Sequence, residues 1–112
     1  MPGDSEILNR VFATVKIRAS ADPATSYVAA LYAKGRGEIA RKVGEESTEV
    51  VIAAISGGHA DVVDESADLL FHLMVLWSDC GVEPTEVLAE LARREGTSGL
   101  DEKAGRFDSD SS

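Results

Sequence analysis

The sequence predicts an all-α fold, and three observations carry that expectation. Apolar residues recur at helical spacing through most of the chain. The β-branched residues sit at those same positions instead of alternating, and only 5% of residues are aromatic. Glycines and prolines interrupt the text at intervals that suit helices, with no strand pattern and no internal repeat. The expected architecture is a small bundle of about five helices over residues 1–95, followed by a polar tail over 96–112.

Asp4 or Ser5 can cap a first helix, with Ile7, Leu8, Val11, Phe12 and Val15 at helical spacing. Pro23 disfavours helix at Asp22, so this helix ends by about Ala21. Thr25 or Ser26 then caps a short second helix holding Tyr27, Val28, Leu31 and Tyr32, closed by Gly35. A third helix is expected from about Gly37 to Ser56, with Ile39, Val43, Val50 and Ile55 among its apolar positions. Gly44 within it costs up to about 1 kcal/mol relative to alanine. Such a glycine marks either close approach of another helix or ligand, or a tolerated surface position.

Gly57 and Gly58 end the third helix, and the fourth begins near His59 to Asp61. Its apolar residues, Val62, Leu69, Leu70, Leu73, Met74, Leu76 and Trp77, form a stripe wide enough to bury against more than one partner. Gly81 closes it. Pro84 suits the first turn of a fifth helix, with Val87, Leu88 and Leu91 pointing inward and Arg93 and Arg94 near its end. From Gly96 the chain is polar and rich in Gly and Ser, and residues 107–112 are expected to be disordered.

At 112 residues one domain is expected, with a modest core. Hydrophobic content of 44% beside 28% charged residues is a globular composition. A net charge of −9 argues against nucleic acid and anionic membranes as partners, because both need a basic footprint. A nucleotide substrate stays compatible if a metal reverses the local sign. Cys80 is the single cysteine, so no internal disulfide is available and the chain reads as cytoplasmic; Cys80 is given no role. The chain shows no signal peptide, and no apolar run approaches the ~20 residues of a membrane span.

The acids are the informative feature. Residues advance about 100° around a helix axis, so Glu46 and Glu49 share one face of the third helix. Glu65 and Asp68 do the same on the fourth. An antiparallel hairpin would set these four carboxylates facing one another, which costs free energy unless a cation sits between them. A hard divalent cation such as magnesium prefers oxygen ligands and keeps waters for exchange.

Most charge runs are solvated helix faces, but Glu65 and Asp68 open a helix whose continuation is almost wholly apolar. A di-iron carboxylate bundle needs Glu-x-x-His pairs on two helices, whereas His72 follows Asp68 by four and Glu65 by seven, and the third helix has no histidine. Magnesium-dependent phosphate chemistry fits better. The cation would bridge phosphate oxygens, a spare carboxylate could take a proton from water, and Lys34, Arg36, Arg41 and Lys42 could hold remaining phosphate charge. Lys42 also precedes Glu46 by four residues, the spacing of a plain helix salt bridge.

Glu46-x-x-Glu49 followed by Glu65-x-x-Asp68 resembles the signature of the all-α nucleoside triphosphate pyrophosphohydrolases. The fuller text runs Ser20-Ala21-Asp22-Pro23, Thr25-Ser26-Tyr27, Leu31-Tyr32-Ala33, Gly35, Ile39-Ala40, Lys42-Val43-Gly44-Glu45-Glu46, Asp68-Leu69 and His72-Leu73. Within that superfamily it resembles the phosphoribosyl-ATP pyrophosphatase family of histidine biosynthesis, from about Ile7 to Arg94. The resemblance implies magnesium-assisted hydrolysis between the α- and β-phosphates of phosphoribosyl-ATP, giving phosphoribosyl-AMP and pyrophosphate. It implies a homodimer, which would complete the helical bundle and fits the wide apolar stripe. It also implies Glu46, Glu49, Glu65 and Asp68 as metal ligands, with Glu45 a neighbouring acid that binds metal or positions water. Glu45, Glu46 and Glu49 are the candidate catalytic acids, and the general base among the carboxylates is left open.

The chain departs from the family after Gly35, where Gly37 and Glu38 stand in place of the usual basic residues. His72 matches the family text, though a histidine on an apolar helix is more often packed than catalytic. The length and the lone cysteine do not accommodate a fused cyclohydrolase, so the chain reads as monofunctional. Two other functions share parts of these features: a house-cleaning pyrophosphohydrolase of another nucleoside triphosphate, and a non-catalytic helical dimerisation module.

Overall fold

The computed structural model of the chain describes residues 6–96, and these form five helices and no strand. They are α1 (Glu6–Ala19), α2 (Tyr27–Lys34), α3 (Arg36–Ser56), α4 (His59–Cys80) and α5 (Pro84–Arg94). The expected cap at Asp4 or Ser5 and the tail beyond residue 96 lie outside the described residues.

Local chemistry sets the helix ends. After α1 the Asp22 carboxylate accepts from the Ala24 N–H at 2.9 Å, forming the turn that Pro23 favours. Ser26 then caps α2, its hydroxyl accepting from the Ala29 N–H at 3.1 Å. Gly35 ends α2 and directly precedes α3, with φ at +99°, a conformation that a Cβ would strain. At the hairpin turn, a Cβ on Gly57 would lie 2.9 Å from both the Ala53 carbonyl oxygen and Asp61 Oδ2. That Asp61 carboxylate instead accepts from the Gly58 N–H at 2.9 Å and starts α4.

The core is built from Val15, Val28, Leu31, Ile39 and Val75, with Val11, Tyr32, Phe71 and Leu76 packed around them. Ile39 and Val75 are fully buried where the start of α3 meets the end of α4. Burying each such side chain contributes about 1.5–3 kcal/mol. Polar ties close the same end. The Tyr32 hydroxyl donates to Ser78 Oγ at 2.6 Å, while Arg36 donates to Asp79 Oδ2 at 2.6 Å and to the Asp79 carbonyl at 2.8 Å.

The other end of the α3–α4 hairpin is uncovered among the described residues. Val51, Ile52 and Val63 are more than half exposed there, and Ile55 reaches 81%. Leu91 corrects an expectation: it is 65% exposed instead of pointing inward. The reason is that α5 packs on α1 along one side only, leaving Val87 and Leu88 half-buried and Leu91 on a cleft shared with Val82. Gly44 is a surface glycine, since a Cβ there would meet nothing within 4 Å and no described helix approaches it. No described helix is long and apolar enough to cross a membrane.

Candidate active site

Glu46 lies midway along α3, and Glu65 and Asp68 occupy the second and third turns of α4, so the antiparallel hairpin brings them level. Each offers one carboxylate oxygen, and the three oxygens lie within 4.8 Å of one another. The depth is graded: Glu46 is 9% exposed, Glu65 half-buried and Asp68 open to solvent. Glu49 stands outside this trio. It faces Glu65 across a cleft of about 200 Å³ that Ile52, Ala53 and Asp61 also line.

Burial and mutual repulsion both act on Glu65. Loss of surrounding water pushes its carboxyl above the ordinary value, and the negative charges of Glu49, Asp68, Asp64 and Glu46 push it further. An all-oxygen, anionic donor set with one deep and two shallower members fits a hard divalent cation. It does not fit the di-iron arrangement, because both ring nitrogens of His72 are engaged elsewhere.

The four candidate substrate-binding cations are placed unequally. Lys42 is nearest the acids, with Nζ 2.5 Å from Glu45 Oε1 and 3.7 Å from Glu46 Oε2. Its ammonium is held above its ordinary pKa chiefly by the bond to Glu45. Arg41 bridges Glu38 and Glu45 at 2.8 and 2.9 Å. Glu45 therefore faces two cations, which hold its carboxyl below the ordinary range, Lys42 foremost. It is not one of the three converging acids. Arg36 is committed to Asp79 at the core end, about ten residues and so ~15 Å along α3 from Glu46. Lys34 is exposed at the end of α2.

Sequence reasoning missed the partner of Tyr27, which it read only as a residue of α2 and of the family text. Its hydroxyl lies 2.8 Å from His72 Nε2, and the rings meet edge to face with centroids 5.6 Å apart. His72 is 6% exposed, and its Nδ1 lies 2.8 Å from the Asp68 carbonyl oxygen. A carbonyl only accepts, so Nδ1 carries a proton and, in the neutral ring, Nε2 accepts from Tyr27. A buried histidine must find partners, and that signal was available. The identity of a partner 45 residues away was not.

Comparison with known proteins covers nearly all of the described residues. The profile of the family described as phosphoribosyl-ATP pyrophosphohydrolase matches residues 8–95. A phosphoribosyl-ATP pyrophosphatase of Paramagnetospirillum magneticum is 57% identical over 106 residues, which is 95% of this chain and 97% of that one. The protein of the same name from Novosphingobium aromaticivorans is 61% identical over 101 residues, covering 90% of this chain and 94% of its own. That of Rhizorhabdus wittichii is 60% identical over 99 residues, covering 88% and 93%. Since the matched span takes in the α1–α2 corner, the acid-bearing hairpin and α5 together, this chain belongs to the phosphoribosyl-ATP pyrophosphohydrolase family.

Proposed function

We propose that this protein hydrolyses phosphoribosyl-ATP to phosphoribosyl-AMP and pyrophosphate in histidine biosynthesis, as a cytoplasmic magnesium-dependent enzyme. The observation that carries the proposal is the convergence of Glu46, Glu65 and Asp68 within 4.8 Å, on a chain of this family. These three, with Glu49 completing the set, are the residues that would hold magnesium. When bound, the ion would neutralise charge on the phosphate oxygens and polarise the phosphorus that water attacks.

The chain's own groups do the rest. Water adds to phosphorus, the bond to the bridging oxygen breaks, pyrophosphate departs, and the water's proton passes to a carboxylate of the cluster. Glu49, which lines the cleft beside Glu65, would be the acceptor of that proton. Glu45 acts at one remove by holding Lys42 at the edge of the centre. Lys42 would meet the phosphates first, with Arg41 one residue behind it, while Lys34 and Arg36 would take part only if Arg36 exchanged Asp79 for phosphate. A homodimer covers the exposed residues at the turn end of the hairpin, Ile52, Ile55 and Val63 among them.

The test is pyrophosphate release with magnesium from phosphoribosyl-ATP, compared with ATP, dCTP and dUTP. Release from phosphoribosyl-ATP alone is expected. Preference for a plain nucleotide would keep the chemistry and replace the substrate with that of a house-cleaning enzyme. No release from any of them by folded protein would leave a non-catalytic helical module.

A further inference from the structure

Glu46 reaches the centre from α3, whereas Glu65 and Asp68 reach it from α4, and like charges push the two helices apart at that level. Something must hold the seam closed. Ile39 and Val75 do so at the far end, with the Tyr32–Ser78 and Arg36–Asp79 bonds. Along α4 the first of those ties, Val75, comes seven residues and so ~10 Å beyond Asp68, and the hydrogen bond at Ser78 comes ten residues, ~15 Å, beyond it. At the level of the acids stands the Tyr27–His72 hydrogen bond.

Its two ends are well chosen for the task. Tyr27 is the first residue of α2, fixed by the Ser26 cap, and α2 joins α3 through Gly35 alone. His72 is buried, and its Nδ1–H donates to the carbonyl of Asp68 itself. We propose that Tyr27 is a positioning residue of the acid centre: its hydroxyl locks the His72 ring, the ring holds the Asp68 peptide, and α4 is thereby kept in the rotation that aims Asp68 and Glu65 at Glu46. Tyr27 touches no reacting atom in this scheme, although its hydroxyl also lies close to Lys42 at the edge of the centre. It acts through His72.

This inference rests on the acid centre being a divalent-cation site, as proposed above. The experiment is therefore Mn2+ binding by the full chain, followed by titration calorimetry, in wild type, Tyr27→Phe, His72→Gln and the double variant. Tyr27→Phe keeps the ring and removes one oxygen. His72→Gln keeps a polar group near Tyr27 but cannot reach both partners of the imidazole. Each single variant is expected to bind Mn2+ about fivefold more weakly, the loss that one hydrogen bond produces. Turnover should fall by a similar factor in both, and KM for the nucleotide should be unchanged in His72→Gln, which leaves the surroundings of Lys42 intact. The double variant should be no worse than either single one, because a chain cut at one link is already cut.

Equal Mn2+ affinity and turnover in Tyr27→Phe, with only a lower melting temperature, would overturn the proposal and leave the bond as a partner for a buried histidine. Additive losses in the double variant would overturn it as well. If Tyr27→Phe does not fold, His72→Gln alone decides, by the same two readouts. A wild-type chain that binds no Mn2+ would remove the metal-site reading and this inference together, an outcome distinct from wild-type binding that the variants leave unaltered.

Discussion

Lys42 Nζ lies 3.7 Å from Glu46 Oε2, so the deepest acid of the centre already has a cation beside it. An incoming metal ion must share Glu46 with that ammonium, and the two repel. A phosphate-bearing substrate, in contrast, gains from it. Lys42→Met is therefore expected to move two quantities in opposite directions: Mg2+ or Mn2+ binds several-fold more tightly, and turnover of phosphoribosyl-ATP falls by tenfold or so. Calorimetry with the metal and a pyrophosphate-release assay read them separately. Weaker metal binding in the variant would show that Lys42 organises the acids instead of opposing the ion.

The raised pKa of Glu65 fixes the sign of a pH effect. The folded protein holds a proton on this carboxyl to higher pH than the unfolded chain, where the ordinary value is 4.5. Between those two values the folded state binds more protons, so stability is lost as pH rises through the window. Metal-free protein in a chelator should thus melt lower at pH 7 than this window's acid side predicts for the other groups alone. Glu65→Gln should raise the melting temperature at pH 7 and flatten the slope just above 4.5, and it should abolish metal binding. An identical pH profile in the variant would remove Glu65 from the repelling cluster.

Much of this was legible because the signals are local. Ser26, Gly35, Gly57 and Pro84 act on their own turns, and the helices fall where their positions require. The three-residue spacing in each acid pair fixes which face the carboxylates share, and the short 57–58 turn does the rest. What the sequence left open depends on distant partners. Whether Arg36 faces a phosphate or Asp79, and whether Tyr27 is core or a donor to His72, are decided by packing across more than 40 residues. The orientation of Leu91 escaped for a related reason. Periodicity finds the apolar face of α5, but not whether the same chain has anything to cover it.

Gly44 offers a clean stability test. It sits inside α3 with open space where its Cβ would be. Alanine there removes the backbone-entropy cost of glycine without a steric penalty, which is worth up to about 1 kcal/mol. Gly44→Ala is expected to shift the urea midpoint upward with an unchanged slope. Destabilisation would show that another surface, outside this single chain, comes close to that position.

Glu49 separates turnover from folding. It stands on the cleft opposite Glu65, outside the three converging acids, and its charge is the foremost of those that repel Glu65. Glu49→Gln is nearly isosteric and removes that charge. Turnover should fall by about 10²-fold or more, the scale of a lost proton acceptor or ligand, while helicity stays intact and the metal-free melting temperature rises slightly. Unchanged activity would take Glu49 out of both roles.

The uncovered end of the hairpin sets the last test. Val51, Ile52 and Ile55 on α3 and Val63 and Leu70 on α4 expose large apolar side chains, Ile55 most of all. Burying such surface gains about 25 cal/mol per Å², and a second copy can present the same residues in return across a two-fold axis. The wild-type chain is expected to sediment as a dimer. Ile55→Asp would place a charge at the centre of that contact, where no cation of α3 or α4 within one turn can pair with it, and should shift the chain toward monomer at micromolar concentration. Circular dichroism on the same samples checks that α3 and α4 remain helical, since Ile55 is peripheral to the core of Val15, Val28, Leu31, Ile39 and Val75. A wild-type chain that sediments as a monomer at all concentrations would leave this apolar surface to a different partner.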